Sequence, residues 1–198
     1  MVSEKTGKAA PRSPRRSPAS IPPTLKQERA LSADGARWVI GCDEVGRGAI
    51  AGPVAVGLCV VDVSRRIPRG LRDSKLLSEP KRVELRPRVA DWALWSSVGM
   101  ASNAEIDDLG LTAALGLAGV RAFEALCGSG FDPGDSVLLL DGKFDWFSPA
   151  ARVASIADAP PVTTRIKADM TCASVSGASV LAKVERDELM VGHHSRHP

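Results

Sequence analysis

The stretch Trp38-Val-Ile-Gly-Cys-Asp-Glu-Val-Gly-Arg-Gly48 decides how this sequence is read. Residues 38–42 form an apolar run of strand length. The run opens onto two adjacent acids, Asp43 and Glu44, and then onto Gly46, Arg47 and Gly48. Two like charges at one point repel each other, and a divalent cation bound there removes that cost. Glycine lets backbone come close to a ligand. A glutamate in the mouth of a glycine-rich loop has no evident structural task, so the acidic pair predicts a binding site at a strand end.

Downstream, residues 54–63 are rich in valine and bounded by Gly52-Pro53, which predicts a second strand. Ser78 is a suitable N-cap for a helix over 80–91, with Pro80 in its first turn. Residues 93–101 predict a third strand. Ser102 and Glu105 have capping-box spacing, so a helix begins at Asn103. Leu111, Leu115, Ala118, Ala122 and Leu126 recur at helical steps through about residue 126, with a break at Gly110. Residues 136–140 and 162–166 predict two further strands, and 172–190 a helix lined with Ala, Ser and Gly. Upstream, residues 25–34 predict a short helix ended by Gly35. Strands first, then strands alternating with helices, give an α/β sheet with helices on its faces.

Residues 1–23 are rich in Pro, Ser, Arg and Lys and predict a disordered basic tail. Lys5, Lys8, Arg12, Arg15, Arg16, Lys26 and Arg29 face only Glu4 and Glu28 in the first thirty residues, while the whole chain carries +3. The body is therefore slightly acidic. Such a tail suits contact with a polyanion and equally a merely solubilising role. Cys42, Cys59, Cys127 and Cys172 lack CxxC spacing, which argues against zinc and for reduced, buried thiols in a cytoplasmic protein. The basic N-terminus lacks the apolar core of a signal peptide. The charge-free apolar run at 49–61 is too short to span a bilayer, so no membrane association is expected. His193, His194 and His197 all lie at the extreme C-terminus, which argues against Ser-His-Asp or Cys-His chemistry. Their place near a chain end also disfavours reading them as metal ligands.

Three acidic sites share one pattern, an apolar strand followed by a carboxylate and a small residue: Asp43-Glu44, Asp141-Gly142, and Asp169 after Lys167-Ala168. Acids at the ends of adjacent strands converge at one sheet edge. Their oxygen donors suit hard cations such as Mn²⁺ or Mg²⁺, which clamp a phosphodiester and activate water. Taken singly, Asp141 also reads as a turn former and Asp169 as a helix N-cap.

Asp-Glu-Val-Gly-Arg-Gly followed by Ala-Gly-Pro-Val resembles the signature of ribonuclease HII. The resemblance continues through Asp73-Ser-Lys-Leu-Leu-Ser78, Glu105-Ile-Asp-Asp-Leu109, Leu139-Leu-Asp-Gly142, Lys167-Ala-Asp169 and Ala178-Ser-Val-Leu-Ala-Lys-Val-Glu-Arg-Asp187, over about residues 36–198. It implies an RNase H-like mixed sheet flanked by helices. It also implies an endoribonuclease that hydrolyses the RNA strand of RNA–DNA hybrids and nicks duplex DNA 5′ to embedded ribonucleotides. The products carry 3′-hydroxyl and 5′-phosphate ends, and the setting is ribonucleotide excision in DNA replication and repair. By the same resemblance Asp43, Glu44, Asp141 and Asp169 hold the metal, Gly46, Arg47 and Gly48 read the ribose 2′-hydroxyl, and Lys75 contacts a backbone phosphate. Arg186 and Asp187 are helix-surface or orienting residues, and the protein is expected to be a monomer.

Family members continue past His-Pro with a Gly-Tyr-Gly element whose tyrosine stacks on a deoxyribose. This sequence stops at Pro198 and has no tyrosine. The expectation is therefore a C-terminally incomplete catalytic domain over 24–198, with exposed apolar surface. The alternative is a catalytically weak or inactive nucleic-acid-binding remnant. Ribonuclease HIII carries a sizeable N-terminal domain that does not fit before residue 36. A phosphatase leaves Gly-Arg-Gly and Asp-Ser-Lys without a task. Gly177, where the family usually has alanine, is expected to cost about 1 kcal/mol in a helix interior.

Overall fold

The computed structural model describes residues 21–194. Five strands form one mixed sheet: β1 (Trp38–Val45), β2 (Val54–Val61), β3 (Trp95–Ala101), β4 (Ser136–Asp141) and β5 (Val162–Arg165). Their spatial order is β3-β2-β1-β4-β5, with the β1–β2 and β2–β3 pairs antiparallel and the β1–β4 and β4–β5 pairs parallel. Seven α-helices are present among the described residues: α1 (Lys26–Ala33), α2 (Glu79–Trp92), α3 (Asn103–Leu109), α4 (Leu111–Gly128), α5 (Phe147–Val153), α6 (Ala168–Thr171) and α7 (Ala173–His194). Most of the tail expected over 1–23, and the histidine cluster beyond His194, lie outside the described residues.

Strand alternation sorts the core into two layers. Ile40, Cys42, Val56, Leu58, Leu138 and Leu140 face α4 and α5. Val39, Cys59, Val61, Val137 and Leu139 face α7 and the helices beside it. Three strand glycines let helix backbone approach the sheet closely. A Cβ on Gly41 would fall 2.2 Å from Ser174 C, one on Gly57 2.3 Å from Ala178 O, and one on Gly99 2.2 Å from Ala118 O. Any side chain at these positions would push α7 or α4 off the sheet.

Several local expectations hold. Ser102 and Glu105 form the capping box that starts α3, and Gly110, at φ +79°, separates α3 from α4. Gly35, at φ +110°, follows α1. Cys42, Cys59 and Cys172 are buried free thiols, while Cys127 is only partly buried. Helix α4 has the length and mean hydropathy, 1.3, of a membrane span. Half of it is buried, and it packs on β3 and β2, so the core accounts for its apolar face.

Other expectations are corrected. Strand β1 does not stop at Cys42. Its ladder with β2 continues through Asp43↔Gly57, Glu44↔Val56 and Val45↔Ala55, because β2 offers a partner that β4 does not. The acidic pair thus lies inside a strand. Strand β2 ends at Val61, β3 begins at Trp95 and β5 ends at Arg165. Helix α5 was not expected; Asp145 Oδ1 accepts from Phe147 N and Ser148 N at 3.0 and 2.9 Å and caps it.

Candidate metal centre

Parallel pairing of β1 with β4 ends at Cys42↔Leu140. The next residue on each strand, Asp43 and Asp141, follows on the α7 side of the sheet. Beyond β5, Lys167 takes a left-handed conformation at φ +59° and leads into α6. That conformation is uncommon for a residue with a Cβ and is held where surrounding structure enforces it. Ala168 N then donates to Asp141 Oδ1 at 2.6 Å, and Asp169 sits in the first turn of α6. Ser176 Oγ on α7 donates to Asp169 O at 2.6 Å and fastens this turn.

Asp43, Asp141 and Asp169 converge, each offering a carboxylate oxygen within 4.8 Å of the others. Asp43 and Asp169 are buried and Asp141 is half-buried. Burial pushes Asp43 well above the usual carboxylate range; Glu44 and Asp141 add to the rise, against Ser179 and Lys75. Burial likewise raises Asp141, reinforced by Asp169 and opposed by the Ala168 and Asp169 backbone N–H groups. Mutual repulsion of buried carboxylates is the electrostatic condition a cation relieves.

Glu44 does not join the trio. As the strand neighbour of Asp43, it projects from the opposite face. Its Oε1 takes an ion pair from Arg47 Nη1 at 3.4 Å. Burial raises it too, with Asp141 adding to the rise and Arg47 opposing it. Asp43 Oδ2 and Glu44 Oε2 are both buried without a hydrogen-bond partner. Buried carboxylate oxygens are ordinarily satisfied, so these two orphaned atoms and the all-oxygen donor set fit a hard divalent ion. Asp43, Asp141 and Asp169 would hold it, with Glu44 within electrostatic reach.

Lys75 lies in a one-turn 3-10 helix, Ser74–Leu76, capped by Asp73, whose Oδ1 accepts from Lys75 N at 3.0 Å. Lys75 Nζ reaches Asp169 Oδ2 at 3.2 Å, and its side chain stays mostly in solvent. Burial works against its charge, but Asp43, Asp73 and Asp169 together raise the ammonium above its ordinary value.

The glycine loop follows β1. Gly46, at φ +95°, turns the chain, and Ala49 N closes back on Gly46 O at 3.0 Å. A Cβ on Gly46 would lie 2.6 Å from Arg186 Nε, whereas Gly48 has open space around it. Arg47 is exposed at the loop's outer side.

Sequence reasoning placed Arg186 on the helix surface or in an orienting role. The structure buries it, at 7% exposure. Its Nε donates to Pro53 O at 2.8 Å and its Nη2 to Ala51 O at 2.9 Å, so it anchors the far end of the glycine loop. The available signal was spacing: Ala178 and Ala182, which approach Gly57, stand eight and four residues before Arg186 on one helix stripe. Asp187, by contrast, is partly exposed and pairs with Arg82 and Lys183. Two further buried groups were missed. Asp73 Oδ1 also accepts from Ser179 Oγ on α7 at 3.4 Å. Glu28 Oε1 accepts from Ser174 N and Oγ at 2.9 and 2.8 Å, satisfying the N-terminus of α7.

A ribonuclease HII family model matches residues 40–198. Ribonuclease HII of Streptomyces griseus is 47% identical over 170 residues, which cover 85% of this chain and 66% of that protein. The chain thus spans slightly under two thirds of the Streptomyces relatives it matches. Ribonuclease HII of Salinibacter ruber is 38% identical over 177 residues, covering 88% of this chain and 81% of that one. Among solved structures, the ribonuclease H2 of Pyrococcus horikoshii OT3 superposes with a TM-score of 0.59 at 26% identity, covering 81% of this chain and 77% of that chain.

Proposed function

Because the chain belongs to the ribonuclease HII family, we propose that it is an endoribonuclease that hydrolyses the RNA strand of RNA–DNA hybrids and nicks duplex DNA 5′ to an embedded ribonucleotide. The observation that carries this reading is the convergence of Asp43, Asp141 and Asp169 within 4.8 Å, with a buried Asp43 oxygen left unpartnered. Bound Mn²⁺ or Mg²⁺ supplies Lewis-acid polarisation of the scissile phosphate and an activated water.

The chain's own groups divide the remaining tasks. Asp43, Asp141 and Asp169 supply the negative charge that recruits the cation, and Glu44 adds to it from the opposite face. The Lys75 ammonium, charged and largely in solvent beside Asp169, meets a phosphate at the same site. Arg47, exposed next to Glu44, meets another. The backbone of Gly46, Arg47 and Gly48 offers donors and acceptors to a ribose 2′-hydroxyl, the group that separates RNA from DNA. Open space at Gly48 supports this task, because no side chain stands between backbone and sugar. Acids, loop and lysine are assembled together, which supports catalysis over a binding-only role. We further propose that the protein acts as a monomer in the cytoplasm, in ribonucleotide excision.

The test is cleavage of a duplex bearing one ribonucleotide, with Mn²⁺ or Mg²⁺, by wild type and Asp141→Asn. Nicking by wild type that falls to background in the variant is expected. Equal background rates for both overturn the reading.

A further inference from the structure

Phe144 is an aromatic ring that the carboxylate site does not use. It lies between the end of β4 and the start of α5, three residues after Asp141, and is 63% exposed. It lines a cleft of about 270 Å³ together with Arg47, Thr112, Asp141 and Lys143. On its other side Phe144 borders a longer apolar groove of about 850 Å³, shared with Leu109 and Val153. The ring thus stands at the boundary between an apolar wall and the charged cleft beside Asp141.

A duplex keeps its bases stacked on one another, so a ring on a protein surface meets the sugar edges of the groove. Arg47 and Lys143 line the same cleft as the ring, and both are exposed. Cations sharing a cleft with an aromatic ring suit a sugar–phosphate backbone, the cations on phosphates and the ring on an apolar face. Deoxyribose carries a methylene at C2′ where ribose carries a hydroxyl. Covering that hydroxyl with a phenyl ring leaves a polar group without a partner, so the ring favours a deoxyribose.

Resting on the proposed function, we propose that Phe144 is a specificity-determining residue. It packs its ring on a deoxyribose near the scissile position while Lys143 meets an adjacent phosphate. The ring then rewards a ribonucleotide set in DNA over a continuous RNA strand.

The experiment compares wild type, Phe144→Ala, Phe144→Tyr and Val153→Ser on two substrates, a DNA duplex with one ribonucleotide and a hybrid with an all-ribose strand. KM and kcat are measured on both, and Kd by fluorescence anisotropy without metal. Phe144→Ala is expected to raise KM and Kd for the single-ribonucleotide duplex about five- to tenfold, with a clearly smaller effect on the all-ribose hybrid and kcat nearly unchanged. Phe144→Tyr restores the wild-type values. Val153→Ser, which touches only the apolar groove, leaves both substrates unaffected. An unchanged KM and Kd in an active Phe144→Ala enzyme, an equal loss on both substrates, or an equal loss in Val153→Ser overturns the inference and leaves the proposed function standing. A wild type that cleaves neither substrate overturns both.

Discussion

Lys75 Nζ stands 3.2 Å from Asp169 Oδ2, so a side-chain cation already rests against the carboxylates that would take a metal ion. The contact joins the 3-10 turn after β2 to the first turn of α6, two segments far apart in sequence. It partly neutralises a cluster that burial and mutual repulsion make unfavourable.

Removing that cation sharpens the cluster's demand for another. Lys75→Ala is expected to tighten Mn²⁺ binding about two- to fivefold by calorimetry, a modest effect because the side chain is largely solvated. The same variant raises KM for hybrid cleavage, because a phosphate partner is gone. Weaker metal binding in the variant would contradict this picture.

Asp43→Asn tests the electrostatic cost of the site. Asp43, Glu44 and Asp141 are all raised above their ordinary values, with burial as the first cause. The native state therefore keeps protons that the unfolded chain has already released. The stability these groups contribute is complete in acid and is lost as pH rises through their raised values. At pH 7 the metal-free variant should melt higher than wild type, by about 1 kcal/mol of stability. The gap should narrow as pH falls toward the ordinary carboxylate range. Mn²⁺ should raise the Tm of wild type far more than that of the variant. A metal-free wild type as stable as Asp43→Asn at pH 7 would refute the argument.

Two glycine-to-alanine changes should behave in opposite ways. A Cβ on Gly57 would meet Ala178 O at 2.3 Å, backbone that cannot swing aside. Gly57→Ala is expected to cost about 2–3 kcal/mol in urea unfolding. At Gly177 the nearest atoms are Cys59 Sγ at 3.1 Å and Val89 Cγ1 at 3.3 Å. Helix propensity there gains about 1 kcal/mol and crowding opposes it, so Gly177→Ala should fall within about 1 kcal/mol of neutral. Gly177 is thus a packing choice beside Trp92 and Cys59, and the simple helix cost expected from sequence is largely offset.

Arg186→Ala should loosen the glycine loop without disturbing the acids. It removes two hydrogen bonds from a buried guanidinium to Pro53 O and Ala51 O, a loss of about 1.5–3 kcal/mol for charged donors. Hydrogen exchange at residues 46–53 should accelerate and KM should rise, with Mn²⁺ affinity close to wild type. Slow exchange in that loop would show that something else holds it.

What could be read in the sequence was local. Ser102 and Glu105 announce α3 because a capping box closes within four residues, and Gly110 breaks the helix where its positive φ requires it. Asp43, Asp141 and Asp169 were legible as a pattern because each follows a strand or strand-like run. Glu44 was grouped with them as the neighbour of Asp43 and by the family resemblance. With the strand running to Val45, alternation turns Glu44 to the other face, and only the β2 partner reveals that length. Glu28, Asp73 and Arg186 stayed hidden because each is defined by a contact with α7 or a distant loop. Helix α5 escaped because its cap, Asp145, precedes only seven residues of helix.

Helix α7 holds three parts of the site. Near its start Ser176 holds the Asp169 turn, Ser179 holds Asp73 beside Lys75, and Arg186 holds the glycine loop. These points are spaced along one rigid rod at about 1.5 Å per residue, so roughly 15 Å separates the first from the last. The helix therefore works as a ruler. In the proposed reaction it fixes how far along a nucleic-acid strand the bond to be cut lies from the sugar being recognised, and an inserted or deleted residue within it would recalibrate that distance.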